Sequence, residues 1–248
     1  MNILHISDTH GQHGLLDFAG MNIDVLIHSG DFSESGSQKE VLQFFDWFAH
    51  LPIVHKILVP GNHDYFVEEI VADPQYRQYF WPNDFHLLIG EGVEIEGVRF
   101  WGSPVTPWFF EGAFNQERDQ IANEWAKIPA DTQVLITHGP RFGVLDRVEG
   151  GTHEGCHALR THIADEMPDL KVHLHGHIHS DHGAHRAAGL LTLNSAMMDR
   201  HYKPSQLPQW IERHGACFVT PQERAILKKG DDQAWLYAVD HKLVDLMD

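Results

Sequence analysis

The sequence predicts an α/β fold built on a mostly parallel sheet, with a second sheet facing the first. Three observations predict it. Short runs rich in Ile, Leu and Val alternate with an amphipathic helical pattern in the first third, strands dominate the later part, and five strands end in Asp, His or Asn beside Gly. At 248 residues and 42% hydrophobic, the chain suits one large domain with an appendage better than two full domains. Its core needs no disulfide staple.

The elements follow in order. NILHIS (2–7) and DVLIHS (24–29) read as buried strands. Ser37 with Glu40 three residues on is a capping box, and Val41, Phe44, Phe45 and Phe48 then repeat on one helix face. KILVP (56–60) closes a βαβ unit. Val93–Ile95 and Val98–Trp101 flank Glu96-Gly97, a two-residue hairpin turn. GSPVTPWFFEGAF (102–114) carries two prolines and four aromatics. Packing is its first expected role, because aromatics chiefly supply buried area, and a pocket wall is the second. Ile121, Ala122 and Trp125 mark a helix face, QVLIT (133–137), KVHLH (171–175) and LLTLN (190–194) read as strands, and Cys156 opens a helix over 156–164. The pattern loosens after Arg213. A domain over 1–212 and a C-terminal extension over 213–248, of unassigned role, are expected.

The charge balance narrows the partners. Eighteen Lys and Arg against 35 Asp and Glu leave a formal net charge of −17, which repels polyanions and anionic lipid. Long nucleic acids and membrane surfaces are therefore not expected partners. Two Cys without a CxxC pair write neither a disulfide framework nor a Cys zinc site. The N-terminus has no basic region leading into an apolar one, and no apolar run reaches the length of a membrane span. A cytoplasmic location is expected.

Twenty-one His raise the prior for metal chemistry. Five places share one pattern, a strand followed by polar residues and Gly: Asp8-Thr9-His10, Gly30-Asp31, Gly61-Asn62-His63-Asp64, His138-Gly139 and Gly176-His177-Ile178-His179. Ligands in open α/β sheets gather at the carboxyl ends of strands, so these clusters should converge. The i, i+2 spacing of Asp8 with His10 and of His177 with His179 puts each pair on one side of extended backbone. Any one cluster is as readily a cap, a turn or a satisfied polar residue. All five in this order are not. Asp8, His10, Asp31, Asn62, His138, His177 and His179 give seven candidate ligands. Carboxylate and imidazole without thiolate suit Mn, Fe, Zn or a similar divalent ion. Seven ligands, one of them bridging, fit two ions roughly 3.5–4 Å apart.

The ordered series DxH, GD, GNHD, H-G, GHxH resembles the signature of the calcineurin-like metallophosphoesterase superfamily. HISDTHGQH, DVLIHSGDF, VPGNHD, THGPRFGVLD, HLHGHIH and LNSAMMD look like its small phosphodiesterase branch, which includes the vertebrate brain metallophosphoesterase-domain proteins. The resemblance covers roughly 1–212. It implies a four-layer sandwich of two mixed β-sheets flanked by α-helices, with a dimetal site at the carboxyl ends of the strands. It also implies a residue-by-residue assignment. Asp8, His10 and His179 would hold one ion, Asn62, His138 and His177 the other, and Asp31 would bridge. Some members of the branch lack the His at position 177, and here it is present. The two ions, with manganese favoured, would clamp the phosphoryl oxygens and lower the pKa of a bridging water, whose hydroxide attacks in line. His63 would stabilise the phosphate or protonate the leaving oxygen, and Asp64 would orient it or cap the following helix. Asn62 and His63 would contact substrate. Arg141 would either do so or pair with a surface carboxylate, and Asn194 and His201 are weaker candidates.

The expected function is hydrolysis of phosphoesters, with small phosphodiesters such as cyclic nucleotides ahead of monoesters or phosphoproteins. A nuclease is less favoured. A non-catalytic scaffold is least favoured, because none of the seven ligands and not His63 is missing.

Overall fold

The structure is a computed structural model and describes residues 1–227, with 225–227 described in backbone only. The part of the expected extension over 228–248 lies outside the described residues.

In chain order the strands are β1 (Asn2–Ile6), β2 (Val25–His28), β3 (His55–Leu58), β4 (His86–Leu87), β5 (Glu91–Ile95), β6 (Val98–Ser103), β7 (Thr106–Pro107), β8 (Asn115–Gln116), β9 (Val134–Thr137), β10 (Val172–His175), β11 (Gly183–Ala187), β12 (Leu190–Asn194), β13 (Gln209–His214) and β14 (Cys217–Val219). The helices are α1 (Gln38–His50), α2 (Tyr65–Ala72), α3 (Pro74–Phe80), α4 (Ala122–Trp125), α5 (His157–Glu166) and α6 (Pro221–Leu227).

Two six-stranded sheets carry the fold, ordered β14-β13-β1-β2-β3-β4 and β11-β12-β10-β9-β6-β5. β1 to β4 run parallel in the first, and β13 and β14 are antiparallel. β6, β9, β10 and β12 run parallel in the second, with β5 and β11 antiparallel at its edges. The alternation along each strand explains the layers. Ile3, Val25, Ile27 and Ile57 face Val134, Ile136, Val172 and Leu174 between the sheets. Leu4, Ile6 and Leu26 point the other way, onto Phe44, Phe48 and Val67 of the helices. On the far side, Leu135 meets Trp125, Leu159 and Ile163. Three apolar interfaces make four layers: helices, sheet, sheet, helices.

Local chemistry matches several expected elements. Ser37 and Glu40 form the full capping box of α1. Glu96 and Gly97 both have positive φ, as a tight hairpin between β5 and β6 requires. The sheet runs past the boundary expected at 212, because β13 pairs along β1 and β14 pairs along β13. The loose hydropathy there reflects β13, whose residues other than Ile211 are only half-buried, whereas β14 is buried throughout. The aromatic loop divides. Ala113 and Phe114 are buried, whereas Trp108, Phe109 and Phe110 are exposed.

Candidate metal centre

β1, β2, β9 and β10 each end, and β3 ends three residues before Gly61, at one rim where the two sheets meet. Ser7 bridges Ala196, and Ser195 Oγ lies 2.6 Å from His5 Nδ1, so the ends of β1 and β12 are joined across the sheets. The loops are also tied to one another. The Asp8 amide donates to Gly30 O at 2.8 Å, the His10 amide to Asp31 O at 3.0 Å, and the Gly176 amide to His138 O at 3.0 Å.

The expected pairing of Asp8 with His10 through extended backbone does not hold. Both lie beyond β1 with φ of +52° and +39°, and Asp31 and His177 are left-handed as well, at +55° and +68°. Four of the seven candidate ligands thus sit in a conformation uncommon for non-glycine residues, the kind of local strain that collects at functional sites. Glycine makes the remaining room. A Cβ on Gly61 would lie 2.2 Å from Asp31 Oδ1, and one on Gly176 would lie 2.0 Å from Asp8 Oδ2.

The seven side chains do converge. His179 Nε2 lies 3.2 Å from Asp8 Oδ1 and 3.3 Å from His10 Nε2. Asp31 Oδ2 is 3.3 Å from His138 Nε2 and 3.9 Å from His10 Nε2, so it stands between the two groups. Asn62 Oδ1 is 2.9 Å from His138 Nε2. Donor atoms of Asp8, His10 and His179, of Asp31, His138 and His177, and of His10, Asp31 and His63 each lie within 4.8 Å of one another.

Second partners orient the donors. His138 Nδ1 donates to Ser29 O at 2.9 Å and His179 Nδ1 to Asp199 O at 3.1 Å. Each ring therefore presents Nε2 to the cluster, as a ligating imidazole does. Burial alone would raise the Asp8 carboxyl, but the His179 hydrogen bond and charge hold it well below the usual range. Asp31 is likewise pulled down against its burial, chiefly by the His138 charge. Burial lowers His10 and His177 to about 4, keeping them neutral and free to ligate. Against the lowering effect of burial, Asp31 raises His138 to about 9 and Asp8 raises His179, so these two rings would release a proton on ligating a cation. Carboxylates, imidazoles and a carboxamide oxygen form a donor set that fits two divalent cations.

Residues 1–181 match the family model described as calcineurin-like phosphoesterase. The chain belongs to the calcineurin-like phosphoesterase family. Human metallophosphoesterase domain-containing protein 1 is 31% identical over 228 residues, covering 84% of this chain and 69% of that protein. The UPF0046 protein K07C11.7 of Caenorhabditis elegans is 31% identical over 210 residues, covering 81% and 71%. Among solved structures, that of TT1561 of Thermus thermophilus superposes with a TM-score of 0.56 at 14% identity, over 82% of this chain and 96% of that one, and supports the fold. The family uses a dimetal centre, and the donor groups described above are where this chain offers one.

The remaining candidates separate. His63 is half-buried beside the cluster, its ring edge-on to His10 at 4.8 Å, and its Nδ1 donates to Glu34 O at 2.9 Å. Asp64 does not orient it. The Asp64 carboxylate is fully buried and accepts from the amides of Gly61, Asp31 and Ser33 at 2.7, 3.0 and 3.0 Å and from Ser33 Oγ at 2.6 Å. It makes no side-chain cap to α2 either. Arg141 is absent from the pocket lining and joins no carboxylate among the described residues; its guanidinium turns onto Thr192 Oγ1 at 3.1 Å. Asn194 is structural, donating to Ile178 O at 2.8 Å, and His201 is exposed.

A cavity of about 280 Å³ opens over the cluster. Sequence reasoning missed several of its walls: Arg118, Arg200, Glu149, Glu154 and Tyr202. None belongs to a strand-end motif, so no local signal marked them. Phe109 also lines it, which gives the second reading of the aromatic loop. Conversely, His5, His28, His173 and His175 are fully buried within strands, so much of the histidine count serves the interior. Among the described residues no helix is long and apolar enough to cross a membrane.

Proposed function

We propose that this phosphoester hydrolase acts on small phosphodiesters, cyclic nucleotides or similar, with two divalent ions, manganese favoured, held by Asp8, His10 and His179, by Asn62, His138 and His177, and by Asp31 between them. When bound, the ions supply Lewis-acid polarisation of the phosphoryl oxygens and a water of lowered pKa. Asn62 and His63 border the same cavity, which supports their contacting the phosphate there, with His63 giving a proton to the leaving oxygen.

The observation that carries the diester preference is the state of the pocket's cations. Arg200 is paired with Glu149 at 2.9 Å and Arg118 with Glu154 at 3.8 Å. No unpaired guanidinium or ammonium among the described residues lines the cavity to meet the second charge of a monoester dianion. A diester monoanion lacks that charge. The net charge of −17 supports a small substrate over long nucleic acid, and the cytoplasmic location read from the sequence belongs to the same proposal.

The test is a matrix of metal against substrate. Apoprotein reloaded with Mn, Fe or Zn is assayed on an activated diester, an activated monoester and 2′,3′- and 3′,5′-cyclic nucleotides. Diester kcat/KM should exceed monoester kcat/KM with every active metal. The reverse order would make the protein a phosphomonoesterase.

A further inference from the structure

Tyr202 stands over the cluster although no motif leads to it. Its ring lies edge-on to His10 at 4.7 Å, to His179 at 5.5 Å and to His63 at 6.3 Å. It reaches that position through a backbone φ of +56°. A bulky residue in the left-handed region is an outlier, and asparagine or glycine would serve the turn with less strain. The turn is fastened all the same. The Tyr202 amide donates to Asp199 O at 2.9 Å, Gln12 Nε2 donates to Tyr202 O at 2.8 Å, and Asp199 Oδ1 accepts from the amides of His201 and Lys203 at 2.8 and 3.0 Å. Asp199 O also receives His179 Nδ1, so one carbonyl holds both the tyrosine and a candidate ligand.

The side chain does not serve the core. Tyr202 is 43% exposed and lines the cavity beside His10, His63 and His179. Its hydroxyl has no hydrogen-bond partner among the described residues. The ring sits nearest His10 and His179, with the His63 ring 6.3 Å away, so the organic group on a leaving oxygen that takes a proton from His63 would lie within its reach.

We propose that Tyr202 is a substrate contact, its ring packing against a planar aromatic group, aryl or nucleobase, borne by the leaving alcohol. The inference rests on the phosphoesterase reading and adds the class of leaving group. Ring packing supplies apolar contact and quadrupole complementarity without a charge, which suits a cavity whose arginines are already paired.

Calorimetry of the manganese-loaded protein with the monomethyl esters of phenylphosphonate and methylphosphonate, diester-like monoanions named below by their acids, tests it. Both ligands carry the same anionic head, and only one has a ring. Wild type should bind phenylphosphonate more tightly. Tyr202→Asn, which keeps a residue tolerant of left-handed backbone, should lower that affinity roughly tenfold and leave methylphosphonate unchanged. Tyr202→Phe should keep the wild-type preference. An unchanged preference in Tyr202→Asn, or its loss in Tyr202→Phe, overturns the ring contact. A weakened Mn²⁺ isotherm in Tyr202→Asn overturns it too, and makes the residue a support for His179. If wild type binds neither phosphonate, the phosphoesterase reading itself fails, whatever the variants do.

Discussion

The Asp31 amide donates to Asp64 Oδ2 at 3.0 Å, so a buried carboxylate holds the backbone of the residue that stands between the two donor groups. The same oxygen receives the Gly61 amide at 2.7 Å, next to Asn62. Asp64 thereby pins two site loops to each other without touching any donor atom of the cluster. Asp64→Asn would put an amide N–H₂ among four hydrogen-bond donors. Leaving buried groups unpaired costs on the order of 2 kcal/mol or more. Urea unfolding should show that loss in Asp64→Asn, while His63→Ala stays close to wild type. A slow but fully stable Asp64→Asn would restore the role of orienting His63.

The place of Asp31 between His138 and His10 sets a metal-count prediction. Asp31→Ala removes a donor from both groups, whereas Asn62→Ala removes one only from the group of His138. Elemental analysis after gel filtration should find fewer ions per chain in Asp31→Ala than in Asn62→Ala. Two ions retained in Asp31→Ala would remove it from the bridging position.

Gly176 tests the packing of the rim. A methyl there would stand 2.0 Å from both Asp8 Oδ2 and Ser7 Oγ, with the buried loop ends leaving no direction of escape. Gly176→Ala should displace Asp8 and weaken Mn²⁺ binding at least tenfold, about 1.4 kcal/mol, at unchanged helix content. Gly150→Ala is the control. It meets nothing within 4 Å, although its φ of +99° will cost some stability.

Arg186 and Glu223 make a pH-dependent link between the sheets' outer edges. Arg186 on β11 donates through Nε to Glu223 Oε1 at 2.6 Å and through a terminal nitrogen to Phe218 O of β14 at 2.6 Å. Burial would raise the Glu223 carboxyl, but pairing with Arg186 and the Thr220 donors lower it below its ordinary 4.5. A depressed folded-state value means that the stabilisation is fully present above about pH 4.5–5, the unfolded range, and is lost as pH falls through the folded value. Glu223→Gln keeps a capping-box side chain and leaves the buried Arg186 uncompensated. It should cost about 3 kcal/mol at pH 7. The gap between wild type and variant should narrow as unfolding is measured from pH 5 downward. A gap independent of pH would show that the charge is not what Arg186 needs.

The parts legible in the sequence are those written in contiguous residues. Val41, Phe44, Phe45 and Phe48 announced α1, and the strand-end motifs announced the convergence of Asp8, Asp31, His138 and His179. The grounds for that convergence were partly different. Left-handed turns, rather than strand alternation, aim Asp8 and His10, and a single-residue φ leaves no mark in a hydropathy pattern. Arg141 was misplaced because a strand-end position says nothing about which face of the loop a long side chain follows. Tyr202 was invisible because its importance lies in contacts to His10 and His179, 192 and 23 positions away in the chain.

His63 separates catalysis from metal binding. Its Nδ1 is committed to Glu34 O at 2.9 Å, so Nε2 is the nitrogen left to face the cavity. A ring nitrogen of His63 lies within 4.8 Å of donor atoms of His10 and Asp31, so a ligand role is geometrically open. A proton donor and a ligand differ in what their loss does. Removing a general acid typically costs about 10²–10⁴-fold in rate, and the cost depends on the leaving group. A nitrophenolate departs unaided, whereas an alkoxide does not. His63→Ala should therefore keep both ions, lose strongly on an alkyl or nucleotide diester, and lose less on a nitrophenyl diester. Loss of metal would make His63 a ligand. Equal losses on both substrates with metals retained would leave it stabilising the phosphate, because a group that only holds the phosphoryl oxygens is indifferent to the alcohol that departs.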